Sequence, residues 1–139
     1  MRTRIAAILM SVGVLVSATS VNAEGNQLGQ QLFADTCVAC HGTEGKGDGP
    51  ITQYLNVPPA DLTVISKNND GEFPFLKIYQ IVDGRTGVRG HGNAAGAMPI
   101  WGERFSREID TGNVPFGAEL YARARLIAIV DYIESIQQK

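Results

Sequence analysis

The 139-residue chain has two cysteines, and both stand in Cys37-Val38-Ala39-Cys40-His41. Two thiols on one helical turn can reach two vinyl groups on the same edge of a haem and form thioether bonds. The next residue, His41, then projects towards the iron as an axial ligand. Cys-x-x-Cys-His is the haem c attachment pattern. Three other uses of the pair compete with it. A thioredoxin-type redox disulfide needs a βαβ strand pattern, which the chain lacks. A zinc site wants a fourth ligand at short spacing, with His91 and acids as the available groups. A structural disulfide across two intervening residues is strained. The expected cofactor is therefore one covalent haem c, bound through Cys37 and Cys40, with His41 on the metal.

A second iron ligand follows by elimination. Downstream of His41 the candidates are His91, Met98 and the lysines. Met98 lies in Gly96-Ala97-Met98-Pro99-Ile100-Trp101-Gly102, where the proline fixes the backbone direction and lets a loop aim the thioether. A lone methionine is otherwise core filler, but this one sits among glycines and not on an apolar helix face. Met98 is the expected ligand, with His91 of Arg89-Gly90-His91-Gly92 as its rival.

The elements that must position these groups come next. Residues 1–23 read as a cleaved signal peptide. Arg2 and Arg4 form a basic head, Ile5 to Val16 is almost wholly apolar, and Val21-Asn22-Ala23 offers a cleavage site before Glu24. About a dozen apolar residues fall short of the roughly 20 that span a bilayer, and an uncleaved N-terminal anchor is the competing reading. Residues 24–139 then form a single domain of 116 residues with a formal charge of −4.

In that domain Glu24 to Ala39 reads as a short helix, with Leu28, Leu32, Phe33 and Thr36 near one face. Gly42 to Pro50 is loop, with four glycines in nine residues. Asp61-Leu62 opens a brief turn, and Asn68 to Gly71 is another. Phe75 to Val82 has helical spacing with Gly84 as its stop. Gly84 to Gly102 carries six glycines and reads as a loop wrapped over something. Gly117 to Gln138 is a helix whose stripe is Ala122, Leu126, Ile129, Ile133 and Ile136, with Ala118 and Tyr132 beside it. The fold class is all-α: a few helices joined by long loops. Loops of this length bury little apolar surface, and a covalent porphyrin would supply the missing core.

The chain resembles the class I cytochromes c, especially the small bacterial periplasmic kind. The likeness runs through CVACHG after an N-terminal helix, the loop GKGDGP, MPIWG downstream, and Asp131-Tyr132-Ile133 in the terminal helix. The resemblance implies a cytochrome c fold and that the Pro50 carbonyl accepts from the ring N–H of His41. It also implies that the Gly29/Phe33 side of the first helix packs on Tyr132. Trp101 looks like the family aromatic near a haem propionate, or is plain core. Arg85 and Arg89 are solvated loop arginines or propionate partners. The lysine ring of the mitochondrial members is missing.

Composition excludes other classes. With 12 Lys+Arg against 14 Asp+Glu and no dense basic block, a nucleic-acid groove is not expected. Gly45 to Pro50 is neither a dinucleotide fingerprint nor a P-loop, and two histidines leave little for acid–base catalysis. Iron ligated by both His41 and Met98 has no open position, so the expectation is no enzyme but one-electron transfer. A soluble periplasmic carrier in a respiratory chain fits, meeting redox protein partners as a monomer with no lasting membrane anchor. A haem-bearing subunit of a dehydrogenase or oxidase complex is the alternative, and peroxidase-like turnover after loss of Met98 is a third reading.

Overall fold

The computed structural model describes residues 22–85, 98–109, 112 and 116–138. The expected signal peptide lies almost wholly outside them, as do His91 and Arg89. Among the described residues there are five α-helices, three short 3₁₀ turns and no strand, which is the all-α class expected. The helices are α1 (Asn22–Thr36), α2 (Val38–His41), α3 (Phe75–Asp83), α4 (Trp101–Arg107) and α5 (Gly117–Ser135).

The core lies where α1, α3 and α4 close on α5. Ala122, Leu126, Ile129 and Ile133 are buried along α5, as their spacing predicts, and Ala128 and Val130 are buried with them. Helix α1 crosses α5 at Gly29, where a Cβ would overlap the Ala128 carbonyl oxygen and lie 2.8 Å from the Tyr132 Cβ. One turn on, the Phe33 and Tyr132 rings pack with centroids 5.1 Å apart. The implied contact of the Gly29/Phe33 face with Tyr132 is thus present.

Leu28 departs from expectation: it is 48% exposed. The buried face is centred on Gly29, Leu32 and Phe33, and Leu28 falls at its edge, about 100° round the helix from Gly29.

Helix α3 ends as read, on Gly84 in the left-handed conformation (φ 74°). The turn at residues 68–71 is present, with Asp70 and Gly71 both left-handed. The loop expected to run through Gly102 ends earlier, because α4 begins at Trp101. Buried Trp101 and Phe105 stand one turn apart with ring centroids 5.5 Å apart, and that apolar pair anchors a helix of only seven residues.

Helix α5 stops at Ser135, short of the expected Gln138. The chain end is diverted into other bonds. Gln137 Nε2 donates to the Leu62 carbonyl (2.6 Å), its Oε1 accepts from Ser66 N (2.9 Å), and Gln138 N donates to the Thr63 carbonyl (2.8 Å).

Candidate haem site

Cys37, Cys40 and His41 come together as one turn appended to α1. Thr36 Oγ1 donates back to the Leu32 carbonyl (2.6 Å), a bond that bends helices. The chain kinks at Cys37 and resumes: Cys37 N donates to Phe33 O (2.8 Å), and His41 N to Cys37 O (2.9 Å).

The glycine-rich loop then folds back over the carbonyls that this turn leaves unpaired. Ile51 N donates to Ala39 O (3.1 Å), Gly49 N to Cys40 O (3.1 Å) and Gly47 N to His41 O (2.8 Å). Thr52 Oγ1 adds a second bond to Cys40 O (3.1 Å). The loop is ordered because it caps the helix end, and its fit is backbone to backbone.

His41 is 6% exposed, and burial lowers the pKa of its ring below the ordinary histidine value. Its Nδ1 lies 3.0 Å from the Ala60 carbonyl. A carbonyl only accepts, so Nδ1 carries the proton and Nε2 keeps its lone pair for a metal. This corrects the expectation that Pro50 would provide the carbonyl. Pro50 O instead accepts from Gln53 Nε2 (3.4 Å). The physical reason is the loop closure just described, which ties residues 47–51 to the backbone of 39–41. Ala60 is steered in by Pro58-Pro59 before it and by Asp61 after it. Asp61 Oδ1 accepts from Thr63 N (2.8 Å) and Thr63 Oγ1 (2.6 Å), opening the expected turn over Leu62–Val64.

Cys37 and Cys40 form no disulfide with each other. Cys37 is buried, and burial pushes its thiol up to about 11, so it is protonated at neutral pH. No group of three or more His, Cys, Asp or Glu able to hold a metal ion occurs among the described residues, and His91, the further ligand the zinc reading names, lies outside them.

Met98 is half-buried and packs against the apolar core that includes Cys37. Two residues on, Ile100 is the N-cap of α4, so the methionine stands just before the start of that helix. Trp101 is 7% exposed and its Nε1 is buried, with no acceptor among the described residues. Arg85 is an exposed residue just past the end of α3, as the solvated reading expects, but its guanidinium is also tied down. Its Nε donates to Asp83 Oδ1 (2.7 Å) and its Nη1 to Glu119 Oε2 (2.7 Å). Sequence reading missed this cluster, because Glu119 lies 34 residues away and carries no local signal.

These groups fit an iron porphyrin held by thioethers. Two thiols and a neutral imidazole with an open Nε2 share one turn, and the orphaned indole N–H wants an acid oxygen such as a propionate supplies. No helix among the described residues is long and apolar enough to cross a membrane. Over 103 residues the chain is 29% identical to the chloroplastic cytochrome c6 of Chlamydomonas reinhardtii, covering 73% of this chain and 59% of that protein. The chain therefore spans less than two thirds of that relative's length. No solved structure matches it. The family model described as cytochrome c matches residues 27–137, from the first turns of α1 to the last residues after α5, and the chain belongs to that family.

Proposed function

We propose that the protein is a periplasmic one-electron carrier, holding a single haem c through Cys37 and Cys40 with His41 and Met98 as axial ligands. The observation that carries this reading is the capped Cys37–His41 turn, with His41 neutral and fixed by the Ala60 carbonyl. When bound, the haem supplies the ferrous/ferric couple. The chain's own residues do the rest. Cys37 and Cys40 would tether the macrocycle, and the Ala60 carbonyl would hold the orientation of the His41 imidazole and raise its basicity. Met98 would fill the remaining axial position with a neutral thioether, which favours ferrous iron and raises the potential. With both positions filled by side chains, substrate has no place on the iron, so a carrier is favoured over an enzyme.

Residues 1–23 would export the chain, and a formal charge of −4 on residues 24–139 favours redox proteins with basic docking patches. Such encounters use weak interfaces, typically below about 1,200 Å². The test is purification of the native haem protein. A small haem-bearing species that is reversibly oxidised and reduced is expected. A haem signal eluting only with a larger complex would replace the free carrier with a fixed electron-transfer subunit.

A further inference from the structure

Helices α3, α4 and α5 meet at one carboxylate–guanidinium cluster. Asp83, the last residue of α3, is buried at 5% exposure. Its Oδ1 accepts from Arg85 Nε (2.7 Å). The Arg85 guanidinium then reaches α5, giving Glu119 two bonds of 2.7 and 3.2 Å. Arg123 Nε donates to the same carboxylate (2.7 Å). Helix α4 closes on the pair from the third side. A Cβ on Gly102 would overlap Asp83 Oδ1 and come 2.5 Å from Arg85 Nε.

The cluster stands at both ends of one stretch of chain. Arg85 leads directly into residues 86–97, and Met98 is the first residue after them. Gly102 is four residues beyond Met98, and Pro99 restricts the backbone between. Holding Gly102 against Asp83 and Arg85 restrains the backbone four residues beyond Met98, and so removes freedom that the thioether would otherwise lose on ligation. Arg85 donates to Asp83 and Glu119 together, and so ties the end of α3 to α5.

We propose that Asp83, Arg85 and Gly102 are positioning residues for Met98, and that their closed cluster sets how firmly its thioether is held as an iron ligand. This rests on Met98 being that ligand, as proposed above.

The test is an imidazole titration of the ferric holoprotein at fixed pH, followed by loss of the weak long-wavelength Fe–S charge-transfer band. Apparent affinity for a competing ligand rises as the Met98-bound form loses occupancy. Asp83→Asn and Gly102→Ala are each expected to raise imidazole affinity about tenfold, and half-buried Glu119→Gln about twofold to threefold, by the same relation. Glu119→Gln keeps the test open should the buried variants fail to fold. Variants that lose denaturant stability yet bind imidazole as the unaltered protein does would make the cluster purely structural and overturn the proposal. Absence of the band from the unaltered holoprotein would contradict Met98 as ligand, a different failure from an unmoved titration.

Discussion

His41 and Met98 are held by opposite means. Around His41 the restraints are backbone hydrogen bonds: the carbonyls of Ala39, Cys40 and His41 accept from residues 47–51, and Ala60 accepts from the ring. Around Met98 they are apolar packing and, by the proposal above, the charged cluster in which Arg85 joins α3 to α5. A backbone lattice has no ionisable group among its bonds, although it needs glycine at 47 and 49, where a Cβ would overlap the Pro59 and Ala39 carbonyl oxygens. A charged cluster depends on particular residues and on their ionisation. The histidine side is thus held by bonds that do not titrate, and the methionine side by groups whose charge matters.

The strongest way to break this comparison is to remove the tether. Cys37→Ser with Cys40→Ser should abolish covalent haem, leaving the bare polypeptide mass and a chain with poor tertiary structure by near-ultraviolet circular dichroism. A well-folded apoprotein would show that the lattice around residues 39–51 stands without the group it frames. Next in size, Gly29→Ala should destabilise the fold by about 3 kcal/mol in a denaturant titration, since its Cβ meets the Ala128 carbonyl and small-to-large changes in packed sites typically cost 1–3 kcal/mol. It should leave the Met98 charge-transfer band in place.

Asp61→Ala probes the histidine side alone. Losing the cap of the Leu62–Val64 turn should cost about 1 kcal/mol. By loosening the Ala60 carbonyl's hold on His41, it should also make the imidazole less basic and raise the reduction potential. A lowered potential in this variant would contradict the role given to Ala60.

The smallest effect belongs to acid. The Arg85 and Arg123 guanidiniums hold the Glu119 carboxyl at about 2, below its ordinary value of 4.5. A depressed carboxyl contributes stability that is present above about pH 4.5 and is lost as pH falls towards 2. Comparing the unaltered protein with Glu119→Gln across that window should show the two stability curves converging as pH falls. Parallel curves would mean that the cluster does not stay closed in solution.

What could be read from residue order follows the same division. The Cys37–His41 turn was legible because its chemistry is local, and the α5 stripe because its period is regular. The carbonyl facing His41 was not, since the choice between Pro50 and Ala60 depends on how an irregular loop closes on a helix end. Helix α4 was hidden by Pro99 and Gly102, although Trp101 and Phe105 carry its apolar pair. Gly102 reads as a loop residue until Asp83 is seen beneath it. The Asp83–Arg85–Glu119 cluster joins residues from two helices and had no signature along the chain.

The most direct measurement compares the mass and ferric spectrum of the purified protein with those of Met98→Ala. The account predicts a haem adduct in both, with the Fe–S charge-transfer band present in the first and gone from the second. A bare polypeptide mass in the unaltered protein, or a band that survives Met98→Ala, would contradict it.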